Sequence, residues 1–186
     1  SPAGLFGIVE EQGSIESLSV RGIVSVSDSA DTTTGGIVGI NHGTLINCQF
    51  TGVVTGDSEV GGIVGRNESE GTIDHSTARA IVTGKSSTGG IAGYNLGAIT
   101  GCTNVGSINT EYQEASLDTD GFTAKMVDQI NNKMAAAADD AANSVTNVAT
   151  DTGGIAGRSS GMILTSVNTG TIGYEHIGYN VGGIVG

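Results

Sequence analysis

The chain has 186 residues, of which 32 are glycine, about 17% against roughly 7% in ordinary globular proteins. The glycines follow no three-residue period and there is a single proline, which excludes collagen and Pro-rich linkers. A net charge of −12 repels a phosphate backbone, which argues against nucleic acid and anionic membrane surfaces as partners, and no apolar run reaches the length of a membrane helix.

Repetition organises the chain. Gly35-Gly36-Ile37-Val38-Gly39 returns as Gly61 to Gly65, as Gly89-Gly90-Ile91-Ala92-Gly93, as Gly153-Gly154-Ile155-Ala156-Gly157 and as Gly182 to Gly186, after a degenerate copy at Ala3-Gly4-Leu5-Phe6-Gly7. Most copies are 26 to 32 residues apart; the interval from 89 to 153 is 64 and contains an insertion. Two more strand-like pieces follow each copy, such as Gly71-Thr72-Ile73-Asp74 and Ala80-Ile81-Val82-Thr83. Three short strands per repeat, rich in β-branched residues and cornered by glycine, predict an all-β, right-handed parallel β-helix of about five coils. The glycines are expected at corners that need a positive φ or a close backbone approach.

Stacking such coils places equivalent residues in columns about 4.8 Å apart. Three predicted core columns are Ile37, Ile63, Ile91, Ile155 and Ile184; then Ile15, Leu45, Ile73, Ile99 and Ile163; then Val24, Val54, Val82, Ile108 and Ile172. Asn41, Asn67 and Asn95 align after the first strand, where asparagine amides can bond from coil to coil, and a serine at 159 or 160 ends that ladder. Cys48 and Cys102 share a column with Ser76 between them, so two coil spacings, about 9.6 Å, keep them beyond disulfide reach.

The whole of 1–186 reads as one β-helix domain with a helical insertion over 111–150. Phe122, Met126, Ile130 and Met134 recur every four residues, predicting helix within 122–148 and a possible self-association surface there. The last repeat stops within its motif at Gly186, as expected of a piece of a longer protein.

Candidate chemistry is sparse. Asp74, His75 and Arg79 form the one patch that suits a polysaccharide-cleaving β-helix enzyme, with solvated surface charge as the alternative. Arg66, Tyr94 and Arg158 share a column directly after the glycine motif. They predict a tyrosine sandwiched between guanidinium groups, either as a glycan or protein contact or as a stabilising ladder. Asp57 and Glu59, like Asp28 and Asp31, are weak calcium candidates in turns. His42 and His176 have no second ligand at zinc spacing, so no metal site or cofactor is expected.

The G-G-I-[VA]-G element, followed by Asn, a G-T-I-type strand and a G-x-V-type strand, resembles the GLUG repeat of bacterial surface proteins, a repeat also present in non-catalytic regions of IgA-cleaving metallopeptidases. The resemblance covers everything except the insertion. It implies a secreted or wall-attached setting and a non-enzymatic role as adhesin module or stalk, with a host or neighbouring-cell glycan or protein as ligand. A β-helix polysaccharide-active enzyme or carbohydrate-binding module is the alternative.

Overall fold

A computed structural model describes residues 1–26, 32–110, 150–173 and 180–186. These fall in one unit, Ser1–Glu111 with Val148–Gly186. The predicted helix within 122–148, its self-association surface, His176, Asp28 and Asp31 all lie outside the described residues.

The described chain is a parallel β-solenoid. The third coil shows the plan: Ser58–Gly61, Val64–Asn67, Thr72–Asp74 and Thr77–Thr83 are its four strands, and each pairs in parallel with its counterparts in the neighbouring coils. Five coils stack in this way, and Val181–Gly182 begins a sixth by pairing with Thr152–Gly153. The coils thus build four sheets, where the sequence predicted three strands per coil; in the fourth and fifth coils the last strand is broken in two, as Thr103–Asn104 with Ser107–Ile108 and Val167–Asn168 with Thr171–Ile172. The glycine motif is a corner, not a strand: the Gly-Gly-Ile segment turns the chain between two short strands. A Cβ on Gly62 would run into the carbonyl oxygen of Gly90 in the next coil, so the corner stacks backbone on backbone.

The predicted columns form in register. Ile73 pairs with Leu45 and Ile99, and Val82 with Val54 and Ile108. Ile37, Ile63, Ile91 and Ile155 are completely buried, as are Leu45, Ile73, Ile99, Val54, Val82 and Ile108. The columns open at the ends of the described stack: Ile15 and Val24 of the first coil and Ile163 and Ile172 of the fifth are only partly buried, and Ile184 is exposed.

One expectation about glycine fails. The corner between the third and fourth strands has a left-handed backbone in every coil, yet it is filled by Ser17, Asn47, His75, Gly101 and Thr165, with φ of 55°, 52°, 45°, 60° and 46°. Only one of these is glycine. Most glycines are required for close approach instead. Gly65 and Gly93, for example, lie against the backbone of Thr33–Thr34 and Glu59–Val60 in the preceding coil. Among the described residues no helix is long and apolar enough to cross a membrane.

Candidate functional site

The first and second strands of successive coils form two sheets that meet along a groove. Each first strand from the third coil onward contains one extra residue in the left-handed region: Glu59 (φ 46°), Ser87 (φ 48°) and Asp151 (φ 53°). The second coil lacks it, and the register shifts between Thr33 and Thr34. Such a bulge re-aims the strand. In the second sheet, Gly65, Gly93 and Gly157 lie against the first-sheet backbone of the coil before, which brings the next residues, Arg66, Tyr94 and Arg158, alongside the first sheet. A cavity of about 360 Å³ results, lined by Thr33, Ser58, Ser86 and Ser87 of the first sheet with Tyr94 and Arg158 of the second; Thr32 and Glu59 complete it.

Arg66, Tyr94 and Arg158 pair in register, as the repeat spacing requires. The Arg66 guanidinium carbon lies 5.1 Å from the Tyr94 ring centre and that of Arg158 5.7 Å. The tyrosine is therefore sandwiched, an attractive arrangement because the π faces are electron-rich. Arg66 also donates to Glu59 and to Glu68, each at 2.7 Å. Burial by itself lowers the Arg66 pKa, and the adjacent Glu59 and Glu68 carboxylates outweigh it, leaving the pKa raised. Glu59 is thereby committed to an ion pair, and Asp57 is likewise paired with Lys85 at 2.8 Å. Both turn carboxylates are therefore engaged in ion pairs, where the sequence offered them as weak calcium candidates.

Asp74, His75 and Arg79 are less concentrated than their spacing suggests. Asp74 ends a third strand and its carboxylate lies 2.8 Å from His75 Nδ1. His75 occupies the left-handed corner shared by all five coils, and its ring covers Gly101, where a Cβ would lie 2.9 Å from Nε2. Arg79 projects from the fourth strand and forms an ion pair with neither. The corner conformation is a property of the repeat, so the strain at His75 gives no separate argument for catalysis.

The interior polar groups are ladders. Asn41 Nδ2 donates to Asn67 Oδ1 at 2.8 Å, Asn67 Nδ2 to Asn95 Oδ1 at 2.8 Å, and Asn95 Nδ2 to Ser159 Oγ at 3.2 Å, so the ladder ends at Ser159. A second ladder escaped the sequence reading: Asn104 Nδ2 donates to Asn168 Oδ1 at 2.8 Å, and the two side chains accept from the amides of Gly106 and Gly170. The signal was the shared Asn-x-Gly at 104–106 and 168–170. The cysteine column is a third. Ser76 Oγ accepts from the Cys48 amide at 3.1 Å, and Ser166 Oγ from the Cys102 amide at 3.2 Å. Both thiols are free and buried, with no disulfide between them. Burial pushes Cys102 up to about 11 and raises Cys48 as well. Among the described residues no group of three or more His, Cys, Asp or Glu is placed to hold a metal ion.

The groove itself was missed. Its signal was the repeated three residues before each glycine pair, Ser58-Glu59-Val60, Ser86-Ser87-Thr88 and Thr150-Asp151-Thr152, whose middle member is the bulge.

Comparison with known proteins fits this geometry. Residues 56–83 match the family described as the GLUG motif, and they run through all four strands of the third coil. A stretch of 75 residues, 40% of this chain, is 36% identical to Halomucin of Haloquadratum walsbyi (strain DSM 16790 / HBSQ001) and spans 1% of that protein. No solved structure matches the chain.

Proposed function

We propose, from a chain in which the GLUG motif is one full coil, that this segment is a non-catalytic module of an extracellular cell-surface protein, acting as adhesive module or stalk toward a glycan or protein on another cell. The observation that carries the reading is the solenoid's uniformity. Its buried asparagines form columns that bond coil to coil, and His75, the central member of the candidate acid–base set, sits at a corner whose left-handed backbone every coil repeats. The similarity to Halomucin supports the surface setting.

The test is product release. Incubated with acidic and neutral polysaccharides, the 186-residue chain is expected to yield neither reducing ends nor unsaturated uronate. Product that disappears in Asp74→Ala would establish an enzyme instead. Antibodies against the chain should label intact cells of the parent organism; labelling only after lysis would contradict the surface reading.

A further inference from the structure

The three members of the Arg–Tyr–Arg column are chemically unequal. Each stands seven residues after a bulge residue in its own coil: Glu59 with Arg66, Ser87 with Tyr94, and Asp151 with Arg158. In the third coil the position is closed, because Arg66 is bonded at 2.7 Å to both Glu59 and Glu68. In the fifth coil it is open. Ser160 stands where Glu68 does, Asp151 is a carbon shorter than Glu59, and Asp151 Oδ1 accepts a 2.6 Å hydrogen bond from Asn180 Nδ2. Among the described residues no carboxylate lies within ion-pair distance of Arg158, although its guanidinium stacks on Tyr94 and lines the groove.

We propose that this groove binds a saccharide bearing a carboxylate or sulfate group, with Arg158 receiving the anion. A guanidinium fork matches both groups bidentately, and among the described residues no carboxylate pairs with it. The rest of the lining is polar, with Thr33 and Ser87 beside the Tyr94 phenol, groups suited to sugar hydroxyls. Tyr94 has a guanidinium over its ring on either side, so the sugar is held by polar groups and not by stacking. A volume of about 360 Å³ lies within the range of small-molecule sites and suits one or two sugar rings.

The inference rests on the non-catalytic module reading, and the two fail differently: product release refutes that reading, whereas loss of charge selectivity refutes only this site. Calorimetry of the full chain with trigalacturonate, its methyl ester and a chondroitin sulfate disaccharide tests it. At least one anionic sugar should bind, and the methyl ester should bind about tenfold more weakly than trigalacturonate if the carboxylate form is the one accepted. Arg158→Ala should weaken the accepted anion about tenfold. Ser160→Glu removes no groove residue but supplies the carboxylate that Glu68 gives Arg66, and it should weaken binding similarly. Arg21→Ala, on the fourth sheet, should leave affinity unchanged. No binding by either anionic sugar, or undiminished binding in Arg158→Ala, overturns the site. Equal binding of hexaglutamate would overturn the saccharide assignment in favour of a protein carboxylate.

Discussion

Asn67 is the strongest single test of the asparagine ladder. Its side chain is completely buried; Nδ2 donates to Asn95 Oδ1 at 2.8 Å and to the Gly71 carbonyl at 3.1 Å, while Oδ1 accepts from Asn41 at 2.8 Å. In Asn67→Ala the Gly71 carbonyl keeps the Ala98 amide and Asn41 keeps the Gly43 carbonyl, but Asn95 Oδ1 loses its ladder donor. Two ladder bonds at about 1 kcal/mol each and one stranded buried acceptor at about 1–3 kcal/mol give a loss of about 3–5 kcal/mol. Asn67→Asp should be costly for a different reason. Its ionised carboxylate would face the Asn95 oxygen where an N–H is needed, which raises its folded pKa above the unfolded value of about 3.9. A raised pKa gives stability that is present below the unfolded pKa and lost as pH rises, so this variant should be closer to the parent at about pH 3 than at about pH 7. Urea unfolding followed by far-UV circular dichroism at both pH values measures it. A loss below about 1 kcal/mol for Asn67→Ala, or an Asp variant with the parent's pH profile, would refute the ladder as a stabilising device.

Other consequences follow from individual side chains. The hydroxyls of Thr34 and Thr88 are buried without a hydrogen-bond partner, and their column neighbour Val60 is apolar. Thr88→Val should therefore stabilise the chain by about 1 kcal/mol in urea unfolding; a loss would show that the hydroxyl is satisfied. Thr165 is β-branched yet left-handed at φ 46°, so Thr165→Asn should raise the melting temperature and Thr165→Val should not. Cys102 is held at about 11 against 9.0 for an ordinary thiol, so the stability it contributes is intact below about pH 9 and lost as pH climbs toward 11. Cys102→Ser should flatten the alkaline limb of the stability profile; an unchanged limb would contradict the burial argument.

What could be read in advance depended on whether stacking selects a side chain or a backbone shape. The Ile and Asn columns were legible because neighbouring coils confront like residues a strand spacing apart, and an isoleucine core or an amide ladder works only if its members repeat. The Arg66–Tyr94–Arg158 column was legible for the same reason, from its fixed place after the glycine motif. The left-handed corner was not. It demands a φ value, which Ser17, Asn47, His75 and Thr165 meet with different side chains, leaving no repeated letter. The fourth strand was hidden because the glycine motif looks continuous in sequence while its Gly-Gly-Ile turns a corner. The ion pairs of the turn carboxylates were not legible because the partners of Asp57 and Glu59, Lys85 and Arg66, come from the next turn and the next strand.

The central claim is that coils stack in register across the insertion. Ser14, Thr44, Thr72, Ala98 and Met162 occupy successive positions of one outward column on the third sheet. Spin labels at Ser14→Cys with Ala98→Cys, and at Ser14→Cys with Met162→Cys, in a chain whose Cys48 and Cys102 are replaced by serine, report the spacing. Dipolar measurements should give about 14 Å and about 19 Å between backbones, after allowing for the label arms, because three and four strand spacings separate them. An increment of about one strand spacing between the two pairs, although Ala98 and Met162 lie 64 positions apart in sequence, is the predicted result. A much larger or broadly distributed second distance would contradict the solenoid.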